Sequence, residues 1–292
     1  MPTDTSSAPL AIPGPTHLTH PMAPATKPSG VSSLSNSPVR CPEPSSQCLA
    51  SLNWGGYAVC AEPTSACSNF EAIQGSVTYV AGTWTVPRIT TAHGAYCSDQ
   101  ENTWYDSSVW VGIDGLFSSS VEQTGTSSDC FYGQTSYYAW FEFYPAASET
   151  INFTVNGGDV ITASVSCAAV VNGSNCSTTL TDLSNSHTYT SSTTFVPGAL
   201  MDSAEWIQES AYYDGFLALT PTTPVNWLST SATINGVTHS ISGWGANVYW
   251  LVMVTYNFPY VPVYQQSSMV KGEPSALSRF GTFTSSFVSS GP

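Results

Sequence analysis

Two short segments carry side chains suited to acid-base chemistry. In residues 121–127, VEQTGTS, Gln123 stands before Thr-Gly, where a pepsin-like acid peptidase has its catalytic aspartate. The chain contains no Asp-Thr-Gly or Asp-Ser-Gly, so a two-aspartate site is excluded. In residues 203–210, SAEWIQES, Glu205 and Glu209 supply two carboxyl groups. A carboxyl can act as general base or acid, whereas an amide donates hydrogen bonds without titrating, so the segments indicate carboxylate and amide chemistry.

The two glutamates also raise the alternative of an acid-active glycoside hydrolase. If SAEWIQES is a strand, Glu205 and Glu209 share one face and lie about 13 Å apart along it. Glycosidase carboxyl pairs are separated by about 5 Å or about 6.5–9.5 Å, so these two do not form such a pair. Glu142 combined with either of them still can, and a carbohydrate-binding β-sandwich without catalysis is a further alternative.

Other reaction classes lack their motifs. The sequence has no G-x-S-x-G, H-E-x-x-H, P-loop or G-x-G-x-x-G, and its five histidines are scattered. A Ser-His triad and a metal site therefore have little support, and we expect neither a metal nor another cofactor.

The eight cysteines indicate disulfide bonds, because none of their spacings is C-x-x-C. The sequence does not fix the connectivity. The pairs that are near in sequence are Cys41/Cys48, Cys60/Cys67, Cys97/Cys130 and Cys167/Cys176. Disulfides form in oxidising compartments, so we expect a secreted protein.

The charge balance limits the partners. The chain has 5 Lys+Arg against 19 Asp+Glu and a net charge of -14. It is therefore repelled by nucleic acid and by anionic membranes, and we expect a monomer that binds neither. Only 8% of the residues are charged, so hydroxyls and amides cover a surface that changes little with pH. This composition fits an acid-adapted protein and a generic acidic secreted protein equally well.

Short β-rich runs bounded by Gly, Pro or Asn-Gly dominate the chain from residue 51 onward. No run of a dozen residues has a 3.6-residue period, so we predict an all-β, antiparallel two-sheet β-sandwich of the concanavalin-like or jelly-roll type. Asn156-Gly157, Asn172-Gly173 and Asn235-Gly236 predict hairpin turns.

Residues 1–50 have a different composition. They contain half of the 20 prolines, many Ser and Thr, and almost no apolar periodicity. We predict an extended or disordered tail over 1–50, which serves as a linker, a pro-segment or a strap, followed by one β-sandwich domain over 51–292.

Alternation along the strands assigns side chains to faces. In residues 137–144, Glu142 shares a face with Tyr138, Trp140 and Tyr144, and the opposite face reads as core. In residues 109–114, Val109, Val111 and Ile113 likewise oppose Trp110 and Asp114. An acid among aromatic residues, repeated on two strands, is what a concave ligand-binding sheet presents.

Six segments in order give the chain a family resemblance. They are NWGGY at 53–57, GTWTVP at 82–87, VWVGIDG at 109–115, EQTG at 122–125, YAWFEFYP at 138–145 and AEWIQE at 204–209. Together they resemble the glutamic peptidases, or eqolisins, over about residues 51–260. Glu122 departs from the pattern, since an aliphatic residue is common at this position.

The resemblance implies two seven-stranded antiparallel sheets with a substrate cleft, and a catalytic pair that corresponds to Gln123 and Glu205. It implies polypeptide substrates and an endopeptidase, insensitive to pepstatin, in which water attacks directly. Trp54, Trp110, Trp140 and Tyr144 are candidates for lining the cleft, and Asp114 and Glu142 for hydrogen bonding near the pair. An unperturbed glutamate titrates near about 4.3, so both forms of Glu205 are expected to be accessible at mildly acid pH.

Overall fold

The structure is a computed structural model that describes residues 47–51, 53–61, 75–90, 97, 104–131, 133–211, 217–254, 256–257, 261–262 and 270–288. Strands dominate these ranges, and the one helical element within them is a 3-10 helix at Ile241–Asn247. The all-β prediction is therefore confirmed. No helix in the described ranges has the length and apolar character needed to span a bilayer.

In chain order, the strands are β1 (Gln47–Ser51), β2 (Trp54–Cys60), β3 (Val77–Thr85), β4 (Trp104–Asp106), β5 (Ser108–Ile113), β6 (Val121–Phe131), β7 (Gln134–Tyr144), β8 (Glu149–Ile151), β9 (Val160–Val170), β10 (Gly173–Asp182), β11 (His187–Thr190), β12 (Thr194–Pro197), β13 (Ser203–Glu209), β14 (Ala218–Leu219), β15 (Val225–Ile234), β16 (Val237–His239), β17 (Val248–Val254), β18 (Tyr256–Asn257), β19 (Val261–Pro262), β20 (Val270–Pro274) and β21 (Phe283–Phe287).

The first layer of the sandwich contains both candidate segments. Its order is β1–β17–β2–β13–β5–β6–β7–β8, and all neighbours are antiparallel except the edge pair β1 and β17. Strand β13 carries Glu205, β6 carries Gln123, and β5 lies between them. Because β1 belongs to this layer, residues 47–50 of the predicted tail are part of the sheet.

The second layer has the antiparallel order β15–β3–β9–β10. Strands β21 and β16 pair with the other side of β15, and β11 and β12 with the other side of β10. Strand β20 pairs with β17 of the first layer and β21 of the second, so the layers are joined at one edge. The two-sheet sandwich is confirmed, although eight strands rather than seven run across the first layer.

Alternation along β5 divides its side chains between two clusters, as predicted. Val109, Val111 and Ile113 pack in the core between the layers, whereas Trp110 packs on the opposite face of the first layer. We call this opposite face, which also carries Ile207, the site face. Strand β7 divides in the same way, with Ala139, Phe141 and Phe143 in the core and Tyr138, Trp140 and Tyr144 on the site face.

Two of the three predicted hairpin turns form. Asn172 and Asn235 have φ values of 63° and 51° and lie in the β9–β10 and β15–β16 turns. The hairpin prediction for Asn156-Gly157 is wrong, because the strands on either side, β8 and β9, pair with β7 and β3 instead of with each other. This turn passes the chain from one layer to the other.

A row of hydroxyl groups crosses the outer face of the second layer. Ser229, Thr83, Thr162, Thr181 and Thr188 occupy aligned positions on five neighbouring strands. The oxygens of Ser229 and Thr83 are 2.9 Å apart, those of Thr83 and Thr162 3.1 Å, and those of Thr181 and Thr188 3.0 Å. The hydroxyls therefore satisfy one another across the sheet without any charged group.

Disulfides join Cys97 to Cys130 and Cys167 to Cys176, two of the four pairs that are near in sequence. The second bond links directly opposed residues of β9 and β10. Cys60 is also disulfide-bonded, and no described cysteine is free. Cys41 and Cys67 lie outside the described residues. They belong to the other two pairs that are near in sequence, Cys41/Cys48 and Cys60/Cys67.

Several carboxyl groups other than those of Glu205 and Glu209 are buried in the fold. Asp129 is buried beside Asp106, and burial followed by this neighbouring charge raises its pKa well above the usual range. Glu122, the departure from the family pattern, is fully buried, and neither of its oxygens has a hydrogen-bond partner among the described residues. Burial, and after it the charge of Asp114, raises the pKa of Glu122 well above the usual range. The same two causes raise the pKa of Asp202 to about 8. No lysine or arginine is among the groups that act on these acids.

We expect the free energy of unfolding to fall as the pH rises from about 4.5 to about 8. Between these values, the folded state keeps protons on buried carboxyls that the unfolded chain has released, so raising the pH favours unfolding. A single carboxyl with a pKa of about 8 contributes on the order of 5 kcal/mol over this range. Urea unfolding at several pH values measures the effect.

The matched variants are Asp129→Asn, which removes one buried titration, and Glu149→Gln, which makes the equivalent change at an exposed position of β8. The first should flatten the pH dependence and the second should leave it unchanged. A wild-type protein that is as stable at pH 8 as at pH 4 contradicts the prediction.

Candidate active site

Backbone pairing brings Glu205 and Gln123 into one row on the site face. Gly112 of β5 is directly opposite Glu205 on one side and Gln123 on the other. The pairing continues to Glu142 on β7 and to Ala58 on β2. Two strand spacings separate the Cα atoms of Glu205 and Gln123 by about 10 Å, a span that their two side chains and one small group can fill.

The glycine at the centre of this row makes room for an indole ring. A Cβ atom at Gly112 would lie 2.8 Å from Cζ3 of Trp110 and 3.3 Å from Cβ of Gln123. Trp110 is two residues earlier on the same face of β5, so its ring folds back over the glycine. The ring thus forms the floor between the carboxyl and the amide.

Glu142 orients the Gln123 amide. The Gln123 Nε2 donates a hydrogen bond of 2.6 Å to Glu142 Oε2, and both side chains are buried. This contact places the nitrogen of the amide on the β7 side. Burial raises the pKa of Glu142 to about 8, although the Gln123 hydrogen bond acts in the opposite direction.

Glu205 lies in an enclosed, partner-poor environment. It is fully buried, and neither carboxyl oxygen has a hydrogen-bond partner among the described residues. Burial raises its pKa well above the usual range, the Ser203 hydroxyl lowers it, and Asp114 and Asp202 raise it further. The expectation of an unperturbed titration is therefore wrong, because burial disfavours the charged carboxylate more than the Ser203 hydroxyl favours it.

Asp114 stands at the end of β5 and fastens the segment that leads into β13. Its φ is 71°, and its carboxylate accepts the backbone N–H groups of Leu200, Met201 and Asp202 at 2.8–2.9 Å. The predicted position near the pair is thus occupied by an acid that acts on Glu205 through its charge.

The four predicted cleft aromatics are all on the site face. Trp54, Trp110 and Trp140 are buried in one cluster, and Tyr144 packs on it half-buried. The rings of Trp54 and Trp110 meet edge to face with centroids 5.0 Å apart. They form an aromatic cluster on the same face as Glu205 and Gln123.

Two residues of this region were missed by the sequence reasoning. Glu209 was considered only as a glycosidase carboxyl, paired with Glu205 or Glu142, yet its carboxyl accepts hydrogen bonds from Trp110 Nε1 and Asn53 Nδ2, each 2.8 Å long. Asn53 precedes Trp54 in the NWGGY segment. The signal available was period-2 alternation, which places Glu209 on the face of Glu205 and Ile207.

Within the described residues, one group has the proximity of metal ligands. The ligand atoms of Glu122, Cys167 and Cys176 lie within 4.8 Å of one another. Because the two cysteines form a disulfide, their sulfurs are not thiolates and do not suit a metal ion.

Comparisons with known proteins give consistent matches. Residues 53–269 match the sequence profile of the Peptidase A4 family. Aspergillopepsin-2 of Aspergillus niger is 32% identical over 176 residues, which are 55% of this chain and 61% of that protein. Scytalidopepsin B of Scytalidium lignicola is 39% identical over 67 residues, 22% of this chain and 25% of that protein. The matched part thus spans less than two thirds of either relative.

The fold comparison adds a solved structure. The crystal structure of scytalido-glutamic peptidase with a peptide-based transition state analog superposes with a TM-score of 0.58 and 22% identity. It covers 81% of this chain and 98% of the other. The likeness shows a shared β-sandwich fold, and the profile match covers most of the chain. The chain belongs to the Peptidase A4 family, that of the glutamic peptidases.

Proposed function

We propose that the protein is an acid endopeptidase that hydrolyses peptide bonds in polypeptides with Glu205 and Gln123. The observation that carries the proposal is the placement of one carboxyl and one amide on either side of Gly112, on the same face and in the same row. Membership of the Peptidase A4 family and relatives named as glutamic peptidases support the same reaction.

In the proposed reaction, a water molecule attacks the peptide carbonyl directly. The Glu205 carboxylate takes a proton from the water as the new C–O bond forms, and Gln123 donates a hydrogen bond to the carbonyl oxygen as it becomes negative. Glu205 then gives this proton to the amide nitrogen, the C–N bond breaks, and an acid and an amine leave. No covalent enzyme intermediate is needed.

The base step requires ionised Glu205, although the closed site favours the protonated form. A bound water and a peptide N–H provide the donors that both carboxyl oxygens lack among the described residues. Hydrogen bonding to a carboxylate lowers its pKa, so occupation of the site moves Glu205 toward the form that can act as base.

Gln123 suits the donor role because an amide keeps its hydrogens at every pH of interest. One N–H is directed to Glu142, and the proposal assigns the other to the oxyanion. Glu142, with a pKa raised to about 8, remains protonated in acid and still accepts through its carbonyl oxygen. The orientation of Gln123 is therefore maintained where a carboxyl donor would titrate.

The indole and phenol groups of the site face are proposed to bind the substrate. Trp54, Trp110, Trp140 and Tyr144 form a continuous apolar surface beside the row. An extended peptide presents alternate side chains to such a surface, as in other strand-recognition sites. We propose that the substrate binds as an extended polypeptide.

A sugar-hydrolysing site has less support. Glu142 and Glu205 are three strand spacings apart, about 14 Å between Cα atoms, and Gln123 stands between them. Glu205 and Glu209 lie four residues apart on one strand, β13. Neither pair has the spacing that glycosidases use.

We also propose that the protein is secreted and that pepstatin does not inhibit it. The two described disulfides support an oxidising compartment. Pepstatin binds two-carboxyl sites, whereas this row presents an amide to one carboxyl.

Substitution of the pair tests the function. We expect the wild type to cleave denatured casein at about pH 3 with pepstatin present, Gln123→Ala to lower kcat by about 10²–10³-fold, and Glu205→Gln to lower it further. Peptide release measured by mass spectrometry reports the activity. Glu149→Gln, an exposed change on the same layer, is the control and should keep full activity.

Two results count against the proposal. If Glu205→Gln folds and still cleaves casein at the wild-type rate, Glu205 is not the acid-base group. If the wild type leaves casein intact but releases reducing sugar from a glycan, the sugar alternative replaces the peptidase.

The segment before β1 is proposed to be a pro-segment. Since Gln47–Ser51 pair with β17, removal is expected to occur before Gln47 rather than within the sheet. We expect acidification to produce a shorter chain whose new N-terminus, determined by mass spectrometry, lies upstream of that strand. A fully active protein that retains the whole segment refutes the idea.

A further inference from the structure

A buried network beside the row holds the Trp110 indole. Trp110 Nε1 donates to Glu209 Oε2 over 2.8 Å, and Asn53 Nδ2 donates to Glu209 Oε1 over 2.8 Å. All three side chains are at most 2% exposed. The Glu209 carboxyl of β13 thus receives one N–H group from β5 and one from the residue that precedes β2.

The rest of the network fixes the direction of these bonds. Ser51 Oγ donates to Asn53 Oδ1 over 3.2 Å, which leaves the Asn53 nitrogen turned toward Glu209. The same Ser51 oxygen accepts the backbone N–H of Trp54 over 3.0 Å. The edge contact of Trp54 with Trp110 then supports the indole on a second side.

The indole position matters because of where the ring lies. It packs on Gly112, the residue between Glu205 and Gln123, with Cζ3 only 2.8 Å from the site of a missing Cβ. A ring that swings away leaves the floor of the row open to solvent and removes the surface against which a water or a peptide carbonyl rests. The hydrogen bond from the indole N–H to Glu209 is the polar contact that can hold the ring in this orientation.

We propose that Glu209 is a positioning residue of the active site, which holds the Trp110 indole over Gly112 and thereby fixes the floor between Glu205 and Gln123. The inference rests on the proposed function and assigns a role to a residue that the proposed reaction does not use. Glu209 touches neither the substrate nor the reacting atoms and acts through Trp110.

The role calls for a carboxyl in particular. Each oxygen of Glu209 accepts one N–H, from Trp110 or from Asn53. Burial raises the pKa of Glu209 to about 8, so this carboxyl is protonated in acid. Its hydroxyl oxygen still has lone pairs that accept a hydrogen bond, which an amide nitrogen does not have. An amide of the same shape has one accepting oxygen and one donating nitrogen, so it must direct its NH₂ at one of the two donors. A buried donor that loses its acceptor is costly, and the ring or the Asn53 amide then moves.

An exchange of the two groups tests this reasoning. Glu209→Gln should lower kcat by about 10–100-fold and change KM less than about twofold, because a small displacement of the floor acts on the reacting geometry. The double variant Asn53→Asp with Glu209→Gln lets the new amide accept from Trp110 and donate to the new carboxyl. It should recover most of the lost kcat.

The control and the folding check are part of the same experiment. Glu149→Gln makes the same chemical change at an exposed site of the first layer and should leave kcat unchanged. If Glu209→Gln does not fold, Asn53→Ala removes one donor from the same network, and we expect it to lower kcat by about 3–10-fold. Near-ultraviolet circular dichroism verifies folding.

Two results would overturn the inference directly: a folded Glu209→Gln with wild-type kcat, or a folded double variant that recovers none of the lost kcat. If Glu209→Gln does not fold, a folded Asn53→Ala with wild-type kcat overturns it instead. Failure of the proposed function itself is recognised separately, because then Glu205→Gln keeps its activity on casein or the wild type has none.

Discussion

The alignment of three antiparallel strands is the constraint on which the site depends. Glu205, Gly112 and Gln123 meet in one row only because β13, β5 and β6 pair in this register. A slip of one residue in β6 would turn Gln123 into the core and bring Glu122 to the site face. The hydrogen bond from Trp84 Nε1 to Thr126 Oγ1 and the Cys97–Cys130 disulfide oppose such a slip, because it would turn Thr126 and Cys130 of β6 to the other face. The chemistry is thus positioned by backbone pairing and core packing far more than by loops.

The environment of this row is consistent with the proposed activity in acid. Carboxyls on both faces of the first layer are buried without a basic group acting on them, among them Glu122, Glu142, Glu205 and Glu209. Protonation removes the cost of burying their charge, so acid favours the folded state and keeps the neighbours of Gln123 in their hydrogen-bonding form. The same burial that stabilises the fold in acid opposes ionisation of Glu205, which is why occupation of the site has to supply donors.

Much of this arrangement could be predicted from the sequence, for identifiable reasons. Period-2 alternation is a local signal, so the sequence alone predicts which side chains of β5 and β7 face the core and that Glu205 and Glu209 share one face. Pairing between distant strands has no such local signal. The row through Gly112 is therefore visible only in the structure, which gives the register of β13, β5 and β6. The raised pKa of Glu205 depends on burial in three dimensions, and the hydrogen bond from Trp110 to Glu209 joins residues 99 positions apart. The hairpin prediction at Asn156-Gly157 was wrong for the same reason, since a two-residue turn signal does not show whether the strands on either side pair with each other.

The hydroxyl row on the second layer bears on how the protein stays dispersed. The sequence pI is about 4.3, and near its isoelectric point a protein loses the mutual repulsion that keeps molecules apart. Ser229, Thr83, Thr162, Thr181 and Thr188 have no charge to lose. Their hydroxyls bind water equally well above and below the pI, so the hydration of this row does not change with pH. The row therefore remains a hydrated surface at the pH at which the molecules no longer repel one another by charge.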